Sequence, residues 1–318
     1  MLGLAIVSLL LFLCFRRIQW DRAWQELVRI RPSWLFLAVA VNLSIFVFWA
    51  AQWKVFLPKA HRVSFGRMIE INALMAMVMN TVPFLAGHAL GVFLLAKREK
   101  VGNAAALSVM ALDQLSEGLA KLSVLLLISL LTPLPAWMKK GILLVVSGVS
   151  LLLLVLFFFS HRYRNLSESN QKQSKPLWKW AHSFISRWAH HLETLRSFRR
   201  FSLGILLAWA MKVAEATAIF AVQKGFHLDI PVWSALLILT GLNLATMVPV
   251  TPGNIGVYEA TVFFIYQYLG VHPEQALGLA LLQHLCYLLP LVGTGYLLVI
   301  ARNVFPEEPL QPSRAPTP

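Results

Sequence analysis

Apolar residues in this sequence come in long runs instead of at every second or fourth position. The runs cover about 33–57, 68–95, 103–131, 137–160, 201–224, 232–250, 252–269 and 275–301. A helix needs roughly 20 apolar residues to cross a hydrocarbon core of about 30 Å, and every run except 252–269 comes near that length or exceeds it. Residues 1–15, MLGLAIVSLLLFLCF, are followed by Arg16–Arg17 instead of being preceded by basic charge, and no small-residue cleavage site appears. This predicts a short first membrane helix and not a signal peptide. In WDRAWQELVRI, residues 20–30, helical spacing puts Trp20, Trp24, Leu27 and Val28 on one face. Such a helix either lies in the headgroup layer or packs as an amphipathic loop helix on protein.

Composition points the same way. With 58% hydrophobic and 13% charged residues and a mean hydropathy of +0.67, the chain lies far from the quarter-charged soluble domain. The fold class expected is all-α: a polytopic helical membrane protein, one integral membrane domain over 1–301. The net charge of +14 has no soluble domain to sit on, so it reads as membrane-surface charge and not as nucleic-acid binding. Much of it lies in 161–200, where Arg162, Arg164, Lys172, Lys175, Lys179, Arg187, Arg196, Arg199 and Arg200 face only Glu168 and Glu193. The positive-inside rule puts this loop in the cytoplasm, and its Trp178–Leu192 segment suits a helix lying on an anionic inner leaflet. The C-terminus comes out cytoplasmic as well, the N-terminus stays open, and the Pro-rich tail 302–318 is expected to be disordered. Cys14 and Cys286 both lie in apolar runs and suggest neither a disulfide framework nor a metal site.

Two runs are interrupted in matching fashion. NTVPFLAG (80–87) and TMVPVTPG (246–253) each carry Val-Pro and, four residues after the proline, a glycine: Pro83 and Gly87 in one, Pro249 and Gly253 in the other. Pro252, Asn254 and Gly256 widen the second break. Proline removes a helix donor and glycine lets backbones approach, so each helix opens and its freed polar groups must face protein or a wet cavity. Paired breaks at corresponding positions of two halves point to a midplane substrate site; the alternative is two packing kinks. The expected architecture therefore has two broken or re-entrant segments in pseudo-repeated halves.

Charges inside apolar runs cost roughly 2.5–3.5 kcal/mol each at a helix centre, so they face inward. Asp113, Glu117 and Lys121 share one helical face, and Lys212 lies one turn from Glu215. Both sets read either as packing salt bridges or as sites for a head group or a coupling proton. Glu259 follows the second break and is expected to face the same cavity as Asn254, carrying protons, bracing the helix or contacting the head group directly. His88 adjoins the first break and is a candidate for the path; His284 reads as a helix-joining residue. No zinc, nucleophile-elbow or phosphate-loop motif is present, so no catalytic residue, metal or cofactor is expected.

The order of AAQWKVFLP, VPFLAGHALGVFLLAK, LDQLSE, VPVTPGNIGVYEATVFF and LLQHLCYLLPLVGTGYLL resembles the lysylphosphatidylglycerol synthase transmembrane, or flippase-like, family over roughly residues 15–301. PVTPGNIGVYE, residues 249–259, is its most specific part. The resemblance implies a helical membrane protein that moves a lipid or a lipid-linked head group between leaflets. Where the family tends to carry charge, this chain has His88, Gly91, Gln52 and Asp113–Gln114, which favours a weakly charged lipid such as a hopanoid over an anionic phospholipid. The length leaves no room for the aminoacyl-transferase domain of larger relatives, so aminoacylation by this chain alone is not expected, and the chain reads as a lipid transporter and not an enzyme. The expectation is lipid translocation in the bacterial inner membrane through Pro83, Gly87, His88, Asp113, Glu117, Lys121, Pro249, Pro252, Gly253, Asn254, Gly256 and Glu259. Membrane lipids are the expected partners, with lipid-synthesis enzymes or a second copy further candidates. The alternatives are an intramembrane lipid-modifying enzyme and a scaffold for lipid-synthesis enzymes.

Overall fold

The structure, a computed structural model, describes Ser8, Phe12 and Cys14 and residues 18–82, 86–144, 146–147, 198–247 and 251–304. Pro83, Pro249, almost all of the 161–200 loop and most of the C-terminal tail lie outside the described residues. Ser8, Phe12 and Cys14 are helical, as expected for the first run. Among the described residues the fold is all-helical, with no strand.

Among the described residues four helices are long and apolar enough to cross a membrane: α2 (Pro32–Phe56), α5 (Asn103–Leu131), α6 (Phe198–Gly225) and α9 (Pro273–Val304). At 1.5 Å per residue the 25 residues of α2 reach about 37 Å, more than a bilayer core. The remaining runs fold as shorter pieces. Residues 68–95 divide into α3 (Phe65–Thr81) and α4 (Ala86–Phe93), which continues as a π-helical turn, Leu94–Arg98. Residues 232–269 divide into α7 (Trp233–Ala245), a 3-10 turn (Pro252–Asn254) and α8 (Val257–Tyr268). With 13 and 12 residues, α7 and α8 reach only about 20 Å and 18 Å, so neither crosses the core alone. Both interruptions occur where the sequence predicts them, but α7 stops at Ala245, earlier than the apolar run, and the second break is correspondingly wider. Of the 137–160 run, residues 136–144 are helical.

Helix α1 (Trp20–Val28) docks on the start of α9 through buried Ala23 and half-buried Leu27. Trp20, Trp24 and Val28 stay exposed, as a helix lying in the headgroup layer requires. The centre of the bundle is α2, which packs along α6 and also meets α3, α5 and α9. One apolar core joins α2, α3, the α4 end and the start of α5; a second joins α6, α7, α8 and α9. Outward-facing Phe36, Leu43, Val47, Leu126, Leu130, Leu206, Leu289 and Leu297 are exposed and give the bundle an apolar exterior.

Polar side chains tie the helices together in pairs. Asn42 Nδ2 donates to the Cys286 carbonyl at 2.9 Å (α2 to α9), and Gln52 Nε2 donates to the Gly204 carbonyl at 2.9 Å (α2 to α6). The Arg98 guanidinium pairs with Glu70, so the π-helical turn is fastened back onto α3. In an apolar bundle such bonds between helices replace the hydrophobic drive that lipid removes.

Candidate functional site

The two breaks meet. Gly253 adopts φ +59°, a left-handed backbone open to glycine at little cost. A Cβ there would stand 3.3 Å from the Asn80 carbonyl and 3.4 Å from Leu288. The 3-10 turn of the second break thus rests on the last turn of α3, where the first break begins. Gly87 lies inside α4, not in the break itself. A Cβ there would be 2.7 Å from the Met75 carbonyl and 2.8 Å from the Met79 nitrogen, so only glycine lets α4 fold back against α3.

Glu259 is engaged by its own helix start and by α9. As the third residue of α8 it accepts from the Gly256 backbone N–H at 2.6 Å, satisfying an orphan donor at the helix start. Its other oxygen meets His284 Nδ1 at 2.7 Å. His284 Nε2 donates to the Gly253 carbonyl at 2.9 Å, and the imidazole stacks on Tyr258 with centroids 4.0 Å apart and 7° between planes. Three groups of the second break are therefore held by one buried histidine on α9. Because both ring nitrogens face acceptors, Glu259 and His284 together hold two protons: imidazolium with carboxylate, or neutral histidine with carboxylic acid. The expectation that Glu259 shares a cavity with Asn254 is corrected, because the carboxylate is taken up by the N-terminus of its own helix.

The Asp113–Glu117–Lys121 face does look inward, but its members part company. Asp113, 2% exposed, accepts from Trp49 Nε1 at 2.9 Å and from Gln114 Nε2 at 3.1 Å; it joins α5 to α2. Glu117 pairs with Lys121 at 2.7 Å and lies 3.8 Å from Lys212. Lys212, 5% exposed, is held by Glu215 at 2.8 Å, so the pair expected on α6 is formed and extends across to α5.

These charges line a cavity of about 120 Å³ in the middle of the helices. Glu117 and Lys121 reach it from α5, Lys212 and Glu215 from α6, Asn243 from α7, Asn254 from the second break, and Tyr258, Gln283 and Tyr287 from α8 and α9. A water needs roughly 10–15 Å³ by this measure, so the cavity has room for several. Gln283 donates to the Tyr258 hydroxyl at 3.0 Å and accepts from Tyr266 at 3.2 Å. Lys212 also borders a second, apolar groove of about 220 Å³, formed by Val124, Trp209, Val213, Ala216, Phe220, Val232 and Leu236.

Of the residues expected to line a path, Glu117, Lys121 and Asn254 border the cavity. Asp113, Gly253 and Glu259 brace its walls, and Gly87 seats α4. His88 Nδ1 is buried and without a hydrogen-bond partner among the described residues. Asn42, Asn243, Tyr258, Gln283 and Tyr287 are cavity residues that the sequence reading did not single out. Their signal was a polar side chain within an apolar run, where formal charges, two histidines and Asn254 were weighed and the remaining neutral polar residues were not. Among the described residues no group of three or more His, Cys, Asp or Glu is placed to hold a metal.

Comparison with known proteins agrees with this architecture. The chain is similar to a UPF0104 membrane protein of Archaeoglobus fulgidus, 24% identical over 332 aligned positions that cover 96% of this chain and 94% of that one. No solved structure matches it significantly. The family model described as the lysylphosphatidylglycerol synthase TM region matches residues 1–295, and with that match over nearly the whole length this multi-pass membrane protein belongs to the lysylphosphatidylglycerol synthase transmembrane-region family.

Proposed function

We propose that this chain translocates a lipid or a lipid-linked head group across its membrane, without itself modifying the lipid. One observation carries the reading: a polar cavity inside the bundle, with room for several waters, and an apolar groove share the residue Lys212. A lipid has the same division. Its head group loses too much hydration to enter hydrocarbon alone, whereas a wet cavity replaces those bonds. Its tails are at ease in an apolar groove between α5, α6 and α7. The paired half-length segments supply the wall that such a path requires, since irregular backbone at membrane depth is tolerated where it lines a cavity. Asp113, Glu117 and Glu259 are each engaged by a partner that joins helices or caps one, which supports transport over intramembrane catalysis. In this reading the protein works in a cytoplasmic membrane, with the basic 161–200 loop against the anionic inner leaflet.

The test is reconstitution of the full chain in vesicles with a fluorescent lipid, following loss of signal to an impermeant quencher added outside. Wild-type protein is expected to expose the inner-leaflet probe faster than protein-free vesicles do. Ala216→Phe, which fills the groove while keeping it apolar, is expected to slow that exposure. Rates equal to empty vesicles, or an unaffected Ala216→Phe variant, refute the proposal.

A further inference from the structure

The polar cavity has a chemical character that narrows its ligand. Its formal charges are two carboxylates, Glu117 and Glu215, and two ammonium groups, Lys121 and Lys212, and all four are engaged with one another at 2.7–3.8 Å. No cation in the set is left over. A phosphate entering here would be a buried anion without a compensating charge, with Asp113 one helical turn away to repel it.

What the cavity does leave open are neutral hydrogen-bonding atoms. Asn243 Nδ2, a donor, and Asn254 Oδ1, an acceptor, are both buried and both without a partner among the described residues. Both side chains line the cavity, from either side of the second break. Neither amide is engaged by backbone or by another side chain among the described residues, so both remain available to a group that enters the cavity. Taken whole, each amide brings one NH₂ and one carbonyl oxygen to the cavity lining in either orientation, so the lining carries both donors and acceptors. Tyr258, whose hydroxyl accepts from Gln283, still has its own proton to donate. The group that answers a donor, an acceptor and a further donor without bringing charge is a hydroxyl, which gives one proton and accepts two. Water does this when the site is at rest. A hydroxyl of a head group replaces a water bond for bond, while an ionised phosphate only accepts and leaves Asn254 Oδ1 unanswered.

We infer that the cavity is a binding site for an uncharged, hydroxyl-bearing head group, a sugar or polyol carried on a lipid, read by Asn243, Asn254 and Tyr258. This rests on the translocation reading for the site's purpose, but the binding itself can be measured without transport.

The experiment has two arms. In the first, the purified full chain in micelles is titrated with glucosyl-diacylglycerol, phosphatidic acid or phosphatidylethanolamine of equal chain length, reading the midpoint of thermal unfolding. The glucosyl lipid is expected to raise the midpoint at concentrations about tenfold below the other two. Asn254→Ala and Asn243→Ala are each expected to weaken that response about tenfold, the loss of one or two neutral hydrogen bonds. The head-group preference of the wild type needs no variant, so the inference stays testable if a substituted chain fails to fold. In the second arm the same head groups are compared as fluorescent lipids in vesicles. Equal or tighter binding of phosphatidic acid or phosphatidylethanolamine, or an undiminished glucosyl response in both folded variants, overturns the inference. Transport of the anionic lipid alone overturns it too and leaves translocation standing. Selective glucosyl binding with no movement of any lipid supports the site and sinks the proposed function.

Discussion

Removing the Glu259 side chain separates bracing from other roles. Glu259→Ala leaves the Gly256 N–H without its acceptor and His284 Nδ1 without its partner, in a site where both residues are buried. Breaking one side of a buried ion pair costs about 3–5 kcal/mol, and an N-terminal cap contributes about 1 kcal/mol of its own; because one carboxylate makes both contacts, the two effects are not simply additive, and a loss of about 4 kcal/mol is expected. Glu259→Gln is different. Its amide oxygen still accepts from Gly256, and its NH₂ donates to a neutral His284, whose remaining N–H keeps the Gly253 carbonyl. Every contact of the break survives with one charge pair exchanged for neutral bonds, and the expected loss is about 1 kcal/mol. Mixed-micelle unfolding by a denaturing detergent, followed by circular dichroism, measures both. His284→Ala should be nearly as damaging as Glu259→Ala, and the double variant should cost much less than the sum. If Glu259→Ala is no worse than Glu259→Gln, the bracing account fails. If the Gln variant stays folded but its lipid translocation loses pH dependence, Glu259 carries a transported proton instead.

Gly253→Leu should abolish translocation while leaving membrane insertion intact, since the new side chain meets the Asn80 carbonyl and Leu288 and must adopt a φ of +59°; flux in vesicles and membrane fractionation read the two effects. Lys212→Met strands Glu215 and leaves Glu117 to Lys121 alone, and should cost about 3–5 kcal/mol, whereas adding Glu215→Met should recover much of it; detergent unfolding that shows no recovery refutes the pairing. Ser174 belongs to the basic loop predicted to face the cytoplasm, so a cysteine placed there should resist an impermeant thiol reagent added outside intact cells and react after permeabilisation.

The membrane class, the positions of the helices and both interruptions were legible in the sequence, because each is decided locally. A run of apolar residues partitions into lipid whatever its neighbours do, and a proline next in sequence disfavours helical backbone at Val82, where α3 ends. The Lys212–Glu215 pair was legible for the same reason, being one turn apart on one helix. Hydropathy placed the end of α7 too late, because Thr246 and Met247 fall within the apolar run but do not continue the helix.

What the sequence left undecided was which faces meet. Nothing in the local pattern says that Glu259 would find His284, 25 residues away on another helix, or that Trp49 would take Asp113 out of the path. A charge in an apolar run must turn inward, but inward includes both the cavity and the walls that hold it, and only packing tells them apart. The same holds for Asn243 and Asn254. As single polar residues they are common helix-joining groups. They come to line one polar cavity only in the folded chain, which is a property of assembled helices and not of any one of them.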